Sequence, residues 1–534
     1  MQVTIAKSIS VRLVYWILLC LASSGQAQIV SVPITEFVVM GNTLLEPEVL
    51  NSTLARFKGD LTIDQLKAAA QAVQALYRDA GYGGVIAYVP EQTGPPGRAT
   101  ITVVEGRISV ITVVGNSQFS ADNIKRSVPE LAIGKTPQVQ RLDAQIQLAN
   151  ENPSKQLSVT LEPGKQPGEV EARILVVEKS PVIWTIAADT SGNNSTGIYR
   201  GYLRYQHSAL WDLDHVLSLQ LGSSLQDLTE APSFGVNYRI PMYEQGLTVD
   251  IYAAYSRANG GETPTAAGQL DFNGDGQVIG VLVNKQLARL GEFEQKVGIG
   301  LDLRLFLNDC EIQGLPPGAC GSAGESVTVN PLSFLYTARK DGANPAGFNF
   351  GFSQNLGLAG RYDDAADFEA VRPGAKKHYW LGRVGGYATL PLAKQWKLLG
   401  RVSGQFTADA LVPGEQFGIA GMNTVRGYLE REVIGDQGLV GSVGLYAPAF
   451  IEPFGTPQSL LQLLAFADAG KVWNHEGTPC VGTESICPLA SYGVGLRWEL
   501  QNLQVRLDLG HALKDGNSTL AGENRVSFLA SFSF

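Results

Sequence analysis

The sequence is short of charge, and it has no long apolar run beyond its N-terminus. Only 17% of its 534 residues are charged, the net charge is −9, and no basic run or basic-aromatic cluster occurs, so we do not expect a nucleic-acid partner. After the N-terminal leader no apolar run reaches the roughly 18 residues of a transmembrane helix. The hydrophobic fraction of 44% and the 60 glycines favour a sheet-rich chain with many turns over a disordered chain.

The first 27 residues have the features of a secretory signal peptide. Lys7 and Arg12 precede an apolar core from Leu13 to Ala22, and the small residues that follow predict cleavage after Ala27. Cys20 follows two leucines instead of small residues, so a lipoprotein signal is the less favoured alternative. The mature chain is therefore expected in an oxidising compartment.

The four cysteines beyond the leader form two close pairs, Cys310 with Cys320 and Cys480 with Cys487. Both pairs lie in Gly/Pro/Ser-rich stretches, and the simplest interpretation is two loop-closing disulfides. A zinc site of His475, Cys480 and Cys487 is the alternative, although the spacing matches no compact metal motif. We expect no metal and no cofactor. The sequence has no nucleotide-binding loop, nucleophile elbow or His-Glu-x-x-His motif, so we do not expect an enzyme.

The N-terminal part of the mature chain repeats one pattern of strands and helices. The first copy has five predicted elements: a strand at Phe37–Met40, helices at Pro47–Phe57 and Thr62–Arg78, and strands at Val85–Val89 and Thr100–Glu105. The second copy has the same order: a strand at Ile108–Val114, a helix opened by Ser120, a helix at Val139–Leu148, and strands at Leu157–Leu161 and Val170–Val177. The repeat predicts two α+β domains, residues 37–107 and 108–180, after a short segment of residues 28–36.

After Pro181 the helical periodicity disappears, and segments of about ten residues alternate apolar and polar positions. In Lys296–Leu305 every second residue is apolar, while Lys, Gly, Asp and Arg occupy the other face. A soluble sandwich also alternates. About sixteen such segments with many charges on the polar face favour a membrane-spanning β-barrel over residues 181–534. Phe532 and Phe534 lie on the apolar face of the last strand, as a C-terminal signal for barrel assembly would.

The alternation of outer loops and inner turns assigns each loop a number. With the first strand running outwards, Cys310 and Cys320 fall in the fourth outer loop, and Cys480 and Cys487 fall in the seventh. The sixth loop covers about residues 412–432. Long connections then lie outside and short turns inside, as bacterial barrels require.

Two short motifs stand out in the barrel region. One is Val425-Arg426-Gly427-Tyr428 in the sixth loop, and the other is Phe466-Ala467-Asp468-Ala469-Gly470 in a later strand. Each motif alone is also compatible with an ordinary hairpin turn or strand end. In this order and placement they resemble the paired motifs of the two-partner secretion transporters, the haemolysin secretion and activation proteins of the POTRA-barrel superfamily.

The N-terminal repeat resembles the same family. Gly81-Tyr82 with Ala87–Gln92 is similar to its first POTRA domain, Val103–Ile108 to the exit strand of that domain, and Asn150–Pro153 with Leu161–Gly164 to its second POTRA domain. The resemblance covers nearly all of the mature chain. One departure is that only about ten residues separate Ala27 from Phe37, which leaves no room for the plug helix that many members carry.

The resemblance implies a transmembrane β-barrel of about 16 antiparallel strands, preceded by two α+β POTRA domains in the periplasm. It implies an outer-membrane transporter that recognises an unfolded exoprotein, adhesin-like or haemolysin-like, and translocates it to the cell surface. The other expected partners are outer-membrane lipid and the barrel-assembly machinery. An insertase of other barrels is the alternative, although insertases usually carry more POTRA domains. A passive porin is less favoured because it needs no periplasmic arm.

The resemblance also implies roles for particular residues. Arg426, at the tip of a sixth loop folded into the lumen, would pair with Asp468 on the barrel wall, where a guanidinium can form two hydrogen bonds to one carboxylate. Extended cargo would add to strand edges of the POTRA domains. The candidate edge positions are Val85, Ile86, Tyr88, Val159 and Leu161.

Overall fold

The computed structural model describes residues 31–534 except 93, 195, 266–267, 313–320, 359, 456 and 476–478. The predicted signal peptide lies outside the described residues, and so does Cys320. Among the described residues, no helix is both long and apolar enough to cross a membrane. The chain divides between Gly106 and Arg107 into two compact units.

The first unit is an α+β module with two helices and two small sheets. Its elements in chain order are β1 (Ser31–Ile34), β2 (Glu36–Met40), α1 (Pro47–Leu54), β3 (Gly59–Thr62), α2 (Ile63–Asp79), β4 (Val85–Tyr88) and β5 (Arg98–Glu105). The larger sheet has the order β2-β5-β4, and β1 pairs with β3. The predicted helix start at Thr62 is confirmed, because Thr62 and Gln65 form a reciprocal capping box.

The first module extends further towards the N-terminus than the sequence pattern predicts. Residues 28–36 are predicted to form a leading segment outside the domain, whereas Ser31–Ile34 form β1 and Ile34 is buried in the core of the module. A four-residue strand with one buried side chain is too short for its alternation to be recognised.

The second unit begins with another α+β module. Its elements are β6 (Arg107–Val114), α3 (Ala121–Arg126), α4 (Val139–Ala149), β7 (Lys155–Pro163) and β8 (Glu169–Glu178). The sheet order is β6-β8-β7, with β6 parallel to β8. The predicted cap of α3 is present, because Ser120 Oγ accepts a hydrogen bond from the Asn123 N–H at 3.0 Å.

The same glycine turn follows the first long strand of each module. Gly41 and Gly115 have φ of +86° and +91°, in the left-handed region. A Cβ at Gly41 would overlap the Val103 carbonyl oxygen, and one at Gly115 would overlap the Val176 carbonyl oxygen. Both positions therefore require glycine, and the two modules share the same turn conformation and the same close contact with a strand carbonyl.

A glutamate at the end of the last strand fixes this turn in each module. Glu105 accepts hydrogen bonds from the Thr43 and Leu44 N–H groups at 2.7 and 3.1 Å. Glu178 accepts equivalent bonds from the Ser117 and Gln118 N–H groups at 2.7 and 2.6 Å. Burial favours the neutral acid, but these N–H groups outweigh it and lower the pKa of Glu178.

The rest of the second unit is a closed antiparallel barrel, in which the described residues form sixteen long strands and two short ones, β16 and β24. In chain order the elements are β9 (Val182–Asp189), β10 (Arg200–Leu210), β11 (His215–Ser224), β12 (Ser233–Met242), β13 (Leu247–Thr265), β14 (Gly268–Leu290), β15 (Phe293–Ile312), β16 (Val327–Val329), β17 (Pro331–Lys340), β18 (Ala346–Asn355), α5 (Ala365–Val371), β19 (Trp380–Pro391), β20 (Lys397–Phe406), β21 (Phe417–Ile419), β22 (Val433–Gly435), β23 (Gln437–Tyr446), β24 (Phe450–Ile451), β25 (Ser459–Trp473), β26 (Ile486–Leu500), β27 (Leu503–Ala512) and β28 (Asn524–Ser533). The predicted sixteen-strand barrel is confirmed.

The strands alternate as the sequence predicts. On β15 the side chains of Ile299 and Leu301 are exposed on the outer surface, while Asp302 is buried on the inner side. The barrel closes where β28 pairs with β9 over Leu529–Ser533. The last side chains of the chain, Phe532 and Phe534, are exposed, with their ring centroids 5.8 Å apart.

The described cysteines lie in or beside the outer loops to which the strand order assigns them. Cys480, between β25 and β26, and Cys487, at the start of β26, form a disulfide. Both sulfurs are therefore taken, and the alternative zinc site with His475 is not formed. Cys310, near the end of β15, is disulfide-bonded, while Cys320 lies outside the described residues.

Candidate functional site

The loop between β20 and β23, residues 407–436 and called loop 6 below, is held to the inner wall of the barrel by an arginine. Arg426 Nε and Nη2 donate to the two carboxylate oxygens of Asp468, each at 2.8 Å, and the Arg426 backbone N–H donates to Oδ2 at 3.1 Å. Asp468 is in the middle of β25. The two residues are only 6% and 2% exposed. The structure thus brings together the two residues that the family resemblance pairs.

The second motif presents three side-chain positions to loop 6 because β25 alternates between the two faces of the barrel wall. Phe466 lies beneath the guanidinium of Arg426, with its ring centroid 3.4 Å from Cζ. Such an arrangement adds a cation–π attraction to the ion pair. Gly470 leaves space for loop 6 to pack against the strand, because a Cβ there would lie 3.2 Å from Ile419 Cδ1 of the loop.

The rest of the first motif shapes the loop tip. Gly427 has a φ of +94°, and a Cβ on it would lie 3.1 Å from the backbone carbon of Gly510 on β27. The Tyr428 hydroxyl lies 2.9 Å from the carbonyl oxygens of both Ala490 and Lys514. Val425 is fully buried in the same apolar cluster as Tyr428. Each residue of the motif therefore has its own contact with the barrel or the cluster around it.

A second wall carboxylate, which the sequence analysis missed, supports the tip. Asp508 on β27 accepts hydrogen bonds from Arg497 at 2.9 Å, from Arg506 at 2.7 Å and from Arg426 at 3.5 Å. Arg506 also donates to the side chain of Asn423 in loop 6 at 3.0 Å. Asp508 is buried. It therefore offsets three neighbouring positive charges and links the loop tip to β26 and β27.

A buried carboxylate holds the return arm of loop 6 to the loop between β27 and β28. Glu432 accepts hydrogen bonds from the Ser518 and Thr519 N–H groups at 2.6 and 2.5 Å. It also accepts from the Thr519 hydroxyl at 2.7 Å. The return arm is thus tied to a neighbouring outer loop.

The last residue of loop 6, Asp436, binds three outer segments together. Arg372, just beyond α5, donates from Nη2 to Asp436 Oδ2 at 2.9 Å. The Leu411 N–H of loop 6 donates at 2.9 Å, and the His475 N–H, from the loop between β25 and β26, donates at 2.8 Å. Asp436 is completely buried, and Arg372 nearly so. Both ends of loop 6 are therefore fixed to one carboxylate.

The first arm of loop 6 reaches the opposite side of the lumen. Glu415 is buried and accepts a hydrogen bond from Arg304 of β15 at 2.8 Å. Loop 6 thus contacts the wall at β15 through its first arm and at β25 and β27 through its tip.

The anchors outside the two motifs carry no local signal in the sequence. Arg372 and Asp436 are 64 residues apart, Glu432 and Thr519 are 87 apart, and Arg426 and Asp508 are 82 apart. A charged residue in a glycine-rich loop usually predicts a solvated surface. The one available hint is that Asp508 falls on the polar face of an alternating strand.

The candidate cargo-binding positions lie on edge strands, because β4 and β7 are each outermost in their sheets. Ile86 and Tyr88 point away from the core, with 58% and 46% of their surface exposed. Val85 is buried in the first core, and Val159 and Leu161 pack against the second. Their side chains therefore face inwards, and an added strand would contact them through the backbone.

The family profile described as "haemolysin secretion/activation protein ShlB/FhaC/HecB" matches residues 168–498, and that of the ShlB-type POTRA domain matches residues 32–106. The outer membrane transporter CdiB of Dickeya dadantii is 23% identical over 449 residues, which are 83% of this chain and 76% of the relative. CdiB of Escherichia coli is 23% identical over 428 residues, 76% of this chain and 67% of the relative.

Two solved structures share the fold. CdiB from Escherichia coli has a TM-score of 0.78 at 19% identity, over 96% of this chain and 92% of that one. CdiB from Acinetobacter baumannii has a TM-score of 0.70 at 16% identity, over 94% of this chain and 90% of that one. With the family profile matching more than half of its residues, the chain belongs to the haemolysin secretion/activation family and is an outer-membrane, two-partner secretion transporter of an exoprotein.

Proposed function

We propose that loop 6 closes the export channel and that the contact between Arg426 and Asp468 must break before an exoprotein can pass. The observation that supports this proposal is the two-point hydrogen bond between a loop tip and the middle of a barrel strand, with both partners buried. Removing one partner of such a pair costs about 3–5 kcal/mol. Moving the loop tip would separate two buried charges from each other, and this opening requires no covalent step.

We propose further that the two α+β modules, the first extended to Ser31 and the second beginning at Arg107, are POTRA domains that receive the unfolded exoprotein. Extended cargo would add a strand at the free sides of β4 and β7, where backbone hydrogen bonds give affinity. Ile86 and Tyr88 would supply side-chain contacts on the first module. Backbone hydrogen bonds at Val85, Val159 and Leu161 would set the register of the added cargo strand.

The same proposal covers the other partners. The outward side chains of the barrel strands would contact outer-membrane lipid, and the exposed Phe532 and Phe534 would direct insertion by the barrel-assembly machinery. The cargo would be adhesin-like or haemolysin-like. We propose that the protein catalyses no covalent reaction and uses no cofactor, and that folding of the cargo outside the cell drives export.

Comparing secreted and outer-membrane proteins with and without the gene tests the proposal. We expect one large protein to disappear from the medium while other barrels keep their abundance. A fall in many outer-membrane barrels would show an insertase instead, and a change in small-solute permeability alone would show a porin. Arg426→Ala and Asp468→Ala should reproduce the loss of the secreted protein, and unchanged secretion in both variants would overturn the role of loop 6.

A further inference from the structure

The turn between β10 and β11, residues 211–214, inserts into the α+β module that precedes the barrel. Asp214 is its innermost residue. Its carboxylate accepts hydrogen bonds from Lys155 Nζ and the Tyr243 hydroxyl at 2.6 Å each, and from Asn123 Nδ2 and Ser127 Oγ at 3.0 Å each. Lys155, Asn123 and Ser127 belong to the module, while Tyr243 belongs to the next inner turn of the barrel. One carboxylate therefore joins three parts of the unit.

Lys155 is the charged partner of this carboxylate and is completely buried. The Lys155 and Asp214 side chains are 0% and 1% exposed. Besides Asp214, the ammonium group donates to Asn123 Oδ1 and Ser127 Oγ at 2.8 Å each, which occupies all three of its protons. Burial lowers the pKa of Lys155, and Asp214 acts in the opposite direction. A buried ion pair is tolerated only when its hydrogen bonds are satisfied in this way.

The inserted turn is held in an uncommon backbone conformation. Trp211, Asp212 and Asp214 have φ of 61°, 54° and 62°, although none of them is glycine. Asp212 accepts a hydrogen bond from the Ser120 hydroxyl at 2.5 Å and pairs with Arg126, both in the module. Such conformations persist where the surroundings over-determine them. The turn is therefore shaped to fit the module.

A second contact lies further round the barrel rim, on one face of α4. Asp143 and Gln147 of α4 are spaced by four and so lie on one side of the helix, and Glu151 follows two residues after its last residue, Ala149. Asp143 pairs with Arg289 at 3.0 Å, and Gln147 Oε1 accepts from Gln286 Nε2 at 2.6 Å. Glu151 contacts Lys296 of β15 at 3.0 Å and Arg239 of β12 at 3.4 Å.

We infer that the second module stays docked on the barrel mouth throughout export, and that Lys155 and Asp214 are the positioning residues that fix it there. With a single contact the module could rotate about that point. Separate contacts at the β10–β11 turn and at β14 and β15 prevent such a rotation. The module is then a fixed entrance, and the moving part of the transporter lies elsewhere. The inference rests on the proposed export function.

Crosslinking the second contact tests whether the module moves. Asp143→Cys with Arg289→Cys places two thiols at an exposed ion pair, which a short cleavable bis-methanethiosulfonate reagent can join in secreting cells. We expect the crosslinked transporter to export within twofold of the same variant without reagent, and each single-cysteine variant controls for the reagent. Export that stops on crosslinking and returns on cleavage would overturn the inference. If the variant without reagent secretes nothing although the wild type does, Glu151→Cys with Lys296→Cys, at a partly exposed ion pair of the same contact, provides the crosslink instead.

Loosening the joint gives the complementary test. Lys155→Met should lower export at least tenfold while the barrel remains folded, as judged by its heat-dependent mobility on gels. Crosslinking Asp143→Cys to Arg289→Cys in that background should restore export, which a general folding defect would not allow. Lys135→Met is the matched control, since Lys135 pairs with Glu130 at 2.9 Å within the module. Unchanged export in Lys155→Met, or no rescue by the crosslink, would refute the positioning role. If the wild type itself secretes no partner, the export function fails instead.

Discussion

Arg426 and Asp468 are joined by two parallel hydrogen bonds of 2.8 Å, one residue at the tip of loop 6 and the other in the middle of β25. The Phe466 ring lies against the guanidinium from the wall side, and Asp508 approaches it at 3.5 Å. The arginine is thus surrounded by groups that favour its charge. Any movement of the loop tip must expose that charge to water or give it another partner.

Arg426→Ala and Asp468→Ala should therefore release the loop tip. We expect each to raise the mean conductance of the purified protein in planar bilayers and to lower export about tenfold or more. Arg426→Ala leaves Asp468 buried without its ion partner, and Asp468→Ala leaves Arg426 with the longer 3.5 Å contact to Asp508 as its ion pair. The double variant should be no worse than the single variants, since the two residues act through one contact. Conductance equal to the wild type in both single variants would contradict the proposed closure.

Arg257→Ala is the matched control for these variants. Arg257 also pairs with an aspartate on a barrel strand, Asp275, at 2.8 Å, but its side chain is 48% exposed. Surface pairs of this kind contribute about 0–1 kcal/mol. We expect conductance and export to be unchanged in Arg257→Ala.

Asp508→Asn tests the second carboxylate. The substitution keeps the shape of the side chain but leaves Arg497 and Arg506 without their carboxylate partner, close to Arg426, whose charge only Asp468 then offsets. We expect the barrel to unfold at a lower urea concentration in lipid vesicles, with a loss of about 3 kcal/mol in the free energy of unfolding. Asp508→Asn combined with Arg497→Gln should recover part of that loss by removing one positive charge. If the double variant is less stable than the single variant, charge crowding is not the cause.

The barrel could be predicted from the sequence because its signal is local, whereas the pairing of Arg426 with Asp468 was implied by the family resemblance of two short motifs. Strand alternation repeats every two residues, so Lys296–Leu305 identifies its own inner and outer faces. Val425–Tyr428 and Phe466–Gly470 are continuous motifs. The Thr62 and Ser120 caps are likewise contained in a few residues, and the structure has both.

The remaining anchors could not be predicted because the fold creates them. Asp436 and Arg372 meet only after β19, β20 and the loops around them are in place. Asp214 and Lys155 meet only when a barrel turn and a separate module dock. The residues of that turn with a left-handed conformation are not glycines, so the sequence gives no sign of it. The predicted start at Phe37 was too late for a related reason, since the pairing of β1 with β3 depends on a distant partner.

Asp436→Asn should loosen the outer ends of loop 6. The change removes the negative charge that Arg372 and two backbone N–H groups contact. Only one of the two terminal atoms of the asparagine amide is an oxygen that can accept hydrogen bonds, so the bonds made to the other atom are lost. We expect trypsin added to intact cells to cleave the outer loops at least several times faster than in the wild type. Lys376→Ala is the control, because Lys376 lies with Arg372 in the connection between β18 and β19 but forms a surface ion pair with Asp409 at 2.9 Å. Equal cleavage rates in Asp436→Asn and the wild type would show that other contacts hold the loops.

Gly115→Ala should destabilise the second module more than Gly134→Ala, although both glycines have a left-handed φ. Gly134 has a φ of +80° and open space where a methyl group would lie, so alanine there costs only backbone strain, about 1–2 kcal/mol. At Gly115 the added Cβ would also overlap the Val176 carbonyl oxygen, which must shift away from β6.

Hydrogen exchange of the full-length protein separates these two costs. The amides of β6 and β8 should exchange at least tenfold faster in Gly115→Ala than in Gly134→Ala, because only the former forces the two strands apart. Gly41→Ala should produce the same pattern in β2 and β5, where the clash is with Val103. Similar exchange in Gly115→Ala and Gly134→Ala would mean that the strands absorb the methyl group, and that φ alone makes glycine necessary in the shared turn. The glutamate above each turn would then be its main restraint, and Glu178→Gln would be the variant that opens it.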